Sequence, residues 1–266
     1  GLSVGCNVLT ARYFGADSKK EIEDTVHTSI AVAFISGIVI TVLGIALAPF
    51  ILKMMDTPEW GLATMYLCLY FLGMPAMMVY NFGSAILRAV GDTKRPLYYL
   101  TFAGFINVVM NLLFVIVFKM DVAGVALATV ISQVISAILV VRCLMKETGS
   151  IHLDLRKIRI KKGILFKILQ IGLPAGVQGT LFSLSNVFIQ SSVNEFGEIV
   201  VAGNSIAGNL EGFVYVAMNS IYQAAISFTS QNIGAMKYER VNRIAVTAMG
   251  LVTVIGLTMG NLLVLF

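Results

Sequence analysis

The chain has 266 residues, 58% of them hydrophobic and only 12% charged, with a formal net charge of +5 and a mean hydropathy of +0.87. Soluble domains carry about 25% charged residues, so an ordinary soluble core is excluded. Cys6, Cys68 and Cys143 are scattered and suggest neither a disulfide framework nor a metal site. His27 and His152 lie far apart, and no Gly-rich Walker loop is present, which argues against an ATP-driven pump.

In chain order, the first residues read as the tail of a helix. Uncharged stretches of about the 20 residues that cross a bilayer follow at 28–52, 62–87, 97–118, 122–141 and 168–193. The stretch 199–236 carries a single charge, Glu211, and a last apolar run begins at Ile244. Pro75 predicts a kink inside the second of these stretches. The fold class expected is an all-α integral membrane protein, a polytopic helical bundle. The chain starts with Gly1 and both ends fall in apolar segments, so it is read as a piece of a longer transporter-like protein.

The basic residues orient it. All 19 Lys and Arg except Lys53 and Lys119 fall in alternate, odd-numbered loops. That bias predicts a cytoplasmic position for those loops, with Lys94 and His152 inside and Trp60 and Glu198 outside. The basic charge therefore belongs to the membrane surface rather than to nucleic acid, and nothing in the sequence requires an oligomer. The fifth loop, SIHLDLRKIRIKKGILFKI, mixes apolar with basic residues and is expected at the inner surface. A plain linker with a solvated basic face is the simpler reading; a site for membrane lipid is the sharper one.

An internal repeat emerges when the first loop is laid over the seventh. TARYFGADSKKEI from Thr10 and TSQNIGAMKYERV from Thr229 share Thr, Gly and Ala at the same offsets, and each precedes a helix with an aligned glycine, Gly37 or Gly256. An even number of crossings separates the copies, so they run parallel, as in transporters whose halves relate by an axis along the membrane normal.

Further motifs are RAVGDTKRP at 88–96, INVVMN followed by DVAGVALATVISQ, IGLPAG at 171–176, and VAGNSIAGNLEGFVYV leading to SQNIGA. In this order and spacing the chain resembles the multidrug and toxic compound extrusion (MATE) family of secondary transporters. The resemblance implies twelve helices in two pseudo-symmetric six-helix lobes, of which this chain holds the end of helix 2 through helix 9. It implies an N-terminal lobe at 1–145, a cytoplasmic linker at 146–167 and a partial C-terminal lobe at 168–266. It also implies a coupling cation, H+ or Na+, with no other cofactor and no catalytic or metal residues.

Glu211 is the first candidate residue. A lone carboxylate in a membrane helix costs about 2.5–3.5 kcal/mol on insertion scales, so it is expected to face a partner or a wet cavity. At helical spacing its neighbours are Asn204, Gly208, Tyr215, Met218 and Tyr222. It can exchange a proton or help to hold a cationic substrate; the structural alternative is a hydrogen bond between helices. Asn107 and Asn111 lie one turn apart, with Thr129 on the next helix. The resemblance places a cation site of the first lobe there, although relatives often carry Asp at the second position. Amide oxygens suit Na+, and equally suit helix-to-helix hydrogen bonding.

Gln178, Ser185 and Asn186 are expected on one face of helix 7, where some relatives carry a glutamate. With Asn204, Tyr215, Met74 and Asn81 they make up the candidate substrate cavity. Met74, Met77 and Met78 follow the adaptable-wall pattern of promiscuous sites, or simply pack against lipid. The pairs Gly172/Gly176 and Gly208/Gly212 predict close helix approaches.

The function expected is a secondary antiporter exporting amphipathic or cationic small molecules by alternating access. A lipid-linked precursor flippase would need basic residues within the cavity, and none is mid-membrane. A membrane-embedded enzyme would need clustered acids, His or Cys at one depth, which are absent.

Overall fold

The computed structural model describes residues 1–54, 60–194 and 196–265. The helices are α1 (Leu2–Gly15), α2 (Lys19–Met54), α3 (Trp60–Leu72), α4 (Met74–Ala89), α5 (Lys94–Leu112), α6 (Asp121–Lys146), α7 (Lys162–Asn194), α8 (Glu198–Gly234) and α9 (Glu239–Leu265), with no strand among the described residues. Six helices are long and apolar enough to cross a membrane, and α3 with α4 forms a further span bent by 42°. The bend falls at Gly73, with Pro75 in the first turn of α4, as its missing N–H and locked φ require. The molecule is an all-α, multi-pass membrane protein. The outer loop expected after Lys53 falls outside the described residues, as does the side chain of Glu198.

Two compact units emerge from packing: residues 1–18 with 167–266, and residues 19–166. This grouping differs from a division by chain order, because α1 packs with α7 and α8, and segment 147–161 packs with the start of α2. Small residues explain the first difference. A Cβ on Gly5 would strike the carbonyl of Ile168, and one on Gly172 would come within 2.8 Å of the Leu2 Cα. Gly1, just before α1, and Gly5 of α1 thus meet Gly172 and Gly176 of α7 in the manner of facing small-xxx-small pairs. Gly208 and Gly212 have nothing within 4 Å of such a Cβ, so the close approach expected there is not made within this chain.

The repeat is visible in backbone detail. In both copies the helix ends with equivalent bonds: Ala16 N–H to the Arg12 carbonyl (3.1 Å) and Ala235 N–H to the Gln231 carbonyl (2.9 Å). Ser18 N–H bonds the Tyr13 carbonyl (3.1 Å) as Lys237 N–H bonds that of Asn232 (2.9 Å). Asp17 and Met236, equivalent positions, both take positive φ, 51° and 58°. These are left-handed helix stops without glycine at the turn itself. The two copies also touch each other reciprocally. A Cβ on Gly15 would collide with the Gln231 carbonyl, and one on Gly234 with that of Arg12, the residue equivalent to Gln231. Such reciprocity is the signature of a local two-fold axis. Higher along the same contact, Ser227 Oγ donates to the buried Asn7 Oδ1 at 3.0 Å.

Contacts among the odd-numbered loops agree with the charge bias. Arg95, at the start of α5, pairs with Asp92 and with Glu147 after α6. Lys157 and Arg159 pair with Glu23 and Asp24 at the start of α2, at 3.2 and 3.3 Å. Single cysteines at positions 94 and 152 should therefore react with an impermeant thiol reagent only from the cytoplasmic side, and one at position 60 only from outside. Labelling of position 94 in intact cells would invert the topology.

Candidate functional site

In the unit 19–166, four polar side chains converge between α5 and α6. Asn107 Nδ2 donates to Thr129 Oγ1 and to Ser132 Oγ, each at 3.4 Å, and Asn111 Nδ2 donates to Asn107 Oδ1 at 3.0 Å. The hydroxyls turn back onto their own helix, Thr129 to the Val125 carbonyl and Ser132 to the Thr129 carbonyl. The sequence expectation joined Asn107, Asn111 and Thr129; the structure adds Ser132, one turn beyond Thr129. Asn111 Oδ1 is buried and has no hydrogen-bond partner. An orphaned buried carbonyl costs about 1–3 kcal/mol, and a cation would relieve it. The oxygens therefore fit a weakly held monovalent ion, although this cluster contains no carboxylate. Two residues past Asn111, the helix widens into a π-turn at Leu113–Val117, a distortion frequent at functional sites.

In the other unit, α1, α7, α8 and α9 line an open cavity of about 360 Å³. Gln178 and Phe182 of α7 and Tyr215, Met218, Asn219 and Tyr222 of α8 form most of its wall. No lining residue is charged. Tyr215 and Tyr222 fall on one face of α8 because they are seven residues apart, two helical turns. Gln178 and Tyr215, which the sequence reading grouped in one cavity, both line it; that reading did not include Phe182, or Asn219 one turn beyond Tyr215.

Glu211 sits one turn before Tyr215 on α8, roughly 20 Å along the helix from its outer end at 1.5 Å per residue. That depth is well within a bilayer core about 30 Å thick. Glu211 is exposed on the surface of this chain and pairs with no described residue. Asn204, two turns earlier, is half-buried because its Nδ2 donates to Gln190 Oε1 of α7 at 3.2 Å. Ser185 and Asn186 are exposed, and the Ser185 hydroxyl donates to the Leu181 carbonyl of its own helix at 3.0 Å. They do not line the cavity: Ser185 follows Gln178 by seven residues and Asn186 follows Phe182 by four, so they continue that face of α7 beyond the residues that form the wall. Met74 and Asn81 are half-buried residues of α4 in the unit 19–166, so this cavity does not include them.

A family model described as MatE matches the chain in two stretches, residues 1–113 and 174–266. The chain belongs to the MatE family. Each match covers one copy of the repeat. Among curated MatE relatives, the probable multidrug resistance protein YoeA of Bacillus subtilis (strain 168) is 28% identical over 265 residues, 96% of this chain and 57% of that protein. The probable multidrug resistance protein YpnP of the same organism is 30% identical over 243 residues, 91% and 54% of the two chains. A solved outward-facing multidrug resistance MATE transporter of the MOP superfamily superposes with a TM-score of 0.91 at 25% identity, covering 100% of this chain and 60% of the other. This chain thus spans a little over half the length of the MatE proteins it matches.

Proposed function

We propose that the protein is a secondary transporter that exports amphipathic, often cationic, small molecules by alternating access, driven by inward movement of H+ or Na+. The observation that carries this reading is the uncharged, aromatic cavity of the unit holding α7–α9, one helical turn from a lone intramembrane carboxylate. Tyr215, Tyr222 and Phe182 offer ring faces to a flat organic cation, a contact favoured when desolvated. Gln178 and Asn219 offer amides that orient it without imposing one charge pattern. Met218 supplies a wall that adapts to shape. Glu211 supplies the charge that must change between states, since a ligand shifts an equilibrium only by its differential affinity.

The names of the two Bacillus relatives agree with this substrate class. A flippase for lipid-linked precursors has less support, because the cavity offers no Lys or Arg to a phosphate. The polar cluster of Asn107, Asn111, Thr129 and Ser132 is the place where Na+ would be held.

Efflux of a fluorescent organic cation by the full-length protein in proteoliposomes tests the proposal, with the Na+ and H+ gradients collapsed separately. Efflux is expected to fail when the coupling gradient is lost. Undiminished efflux with both collapsed would sink it. The variants then name the ion. If Na+ couples at the amide cluster, Asn111→Ala and Thr129→Val should raise the Na+ concentration needed for half-maximal efflux by about tenfold, the worth of one lost ligand at roughly 1.4 kcal/mol. If H+ couples at Glu211, the same variants should leave the pH profile unchanged.

A further inference from the structure

Residues 147–161, which join α6 to α7, are fastened to the start of α2 by a set of specific bonds. Ile151 and Leu153 are buried, and Leu153 N–H donates to the Leu144 carbonyl at 3.0 Å. His27 is buried, with its Nδ1 2.7 Å from the Glu23 carbonyl and its Nε2 3.1 Å from the Asp154 nitrogen. A carbonyl only accepts and an amide only donates, so Nδ1 carries the proton and Nε2 accepts. Thr28 Oγ1 donates to the Arg159 carbonyl and accepts Lys161 N–H, both at 3.3 Å. The Lys161 ammonium pairs with Asp24.

The outer part of the same segment is dressed differently. Leu155, Ile158 and Ile160 are 51%, 37% and 42% exposed, and Phe166, one turn into α7, is 68% exposed. Arg156, Lys157, Arg159 and Lys162 alternate with them and are also exposed. Facing water, four bared apolar side chains would be unfavourable. The segment, however, lies where α7 begins its crossing, on the side that the charge bias assigns to the cytoplasm. At that depth apolar side chains reach the acyl boundary while cations meet headgroup phosphates.

We propose that residues 155–166 form a strap that binds anionic phospholipid on the inner leaflet. Leu155, Ile158, Ile160 and Phe166 enter the headgroup–acyl boundary. Arg156 and Lys162, which pair with no described acid, contact lipid phosphates. Glu23, Asp24, His27 and Thr28 hold the strap in place, so its backbone is ordered before lipid arrives and little ordering entropy opposes binding. The inference stands on this surface alone and does not depend on what the protein transports.

Two measurements test it. The first places a reporter in the strap, Leu155→Trp with Trp60→Phe, in nanodiscs containing phosphatidylglycerol with brominated acyl chains. Blue-shifted, quenched emission is expected. Water-like, unquenched emission overturns the proposal, including where an acidic protein surface covers the strap instead. The second titrates phosphatidylglycerol, and separately phosphatidylcholine, into the detergent-solubilised full-length protein and follows thermal unfolding. Phosphatidylglycerol alone should stabilise the wild type. For the Arg156→Gln/Lys162→Gln variant, half-maximal stabilisation should need about 25-fold more lipid, near fivefold per charge removed. Equal stabilisation of wild type and variant, or by both lipids, overturns it.

Discussion

Glu211→Gln is expected to leave the helix and its packing intact while lowering driven efflux by about five- to 150-fold, the span of a 1–3 kcal/mol coupling free energy. The amide is nearly isosteric, and the Glu211 side chain is exposed on this chain without an ion-pair partner, so no internal contact is lost. What disappears is the only ionisable acid in residues 199–236. Cationic substrates should suffer more than neutral ones, because a charge partner has gone. Glu211→Asp should be intermediate, since it keeps the charge and moves it by one methylene. A purely structural role gives a different pattern: Gln nearly neutral, with Ala or Leu lowering stability and efflux together. The measurement is efflux and thermal stability of these variants in the full-length protein. Wild-type efflux by Glu211→Gln would leave Glu211 as a structural residue.

The second large effect is expected where the two repeats cross. Gly234→Val, and equally Gly15→Val, forces a branched side chain into a backbone carbonyl on the facing helix, Arg12 or Gln231. A flexible side chain could move aside, but a carbonyl within a hydrogen-bonded helix cannot. Overpacking of this kind costs about 1–3 kcal/mol, and here it separates α1 from α8 and strains the buried Ser227–Asn7 bond as well. Thermal stability in detergent should fall for both variants, and the double variant should be less than additive because both residues belong to one contact. Gly208→Ala and Gly212→Ala, where a Cβ meets nothing within 4 Å, are the controls and should be near neutral for this chain. Equal loss in all four variants would show that helix propensity or expression, rather than the crossing, is responsible.

Much of this molecule was legible in its residues. Membrane spans are readable because lipid allows only helices whose backbone bonds are satisfied internally, so length and apolarity suffice. Pro75 was readable as a bend because its ring acts locally. The repeat at Thr10 and Thr229 was readable from a few shared residues, and its helix stops prove equivalent down to the positive φ of Asp17 and Met236. Asn107 and Asn111 were readable as neighbours from helical spacing, while their link to Thr129 on the next helix came from the family resemblance and Ser132 was added by the structure.

Other features depended on partners distant in sequence. Nothing local to Gly5, Gly15 or Gly234 distinguishes a helix crossing from the open surface at Gly208 and Gly212; only the facing backbone does. Phe182 and Asn219 become wall residues because α7 and α8 bring them to one cavity with Val4 of α1 and Val252 of α9. The grouping of α1 with α7 and α8, and of the basic segment with the start of α2, likewise departs from chain order. Hydropathy records what each helix exposes to lipid, an average over its whole surface. Which helix lies against which is decided by where small residues and paired polar groups allow two particular backbones to meet, and in a sequence of this kind those positions look the same until both partners are in place.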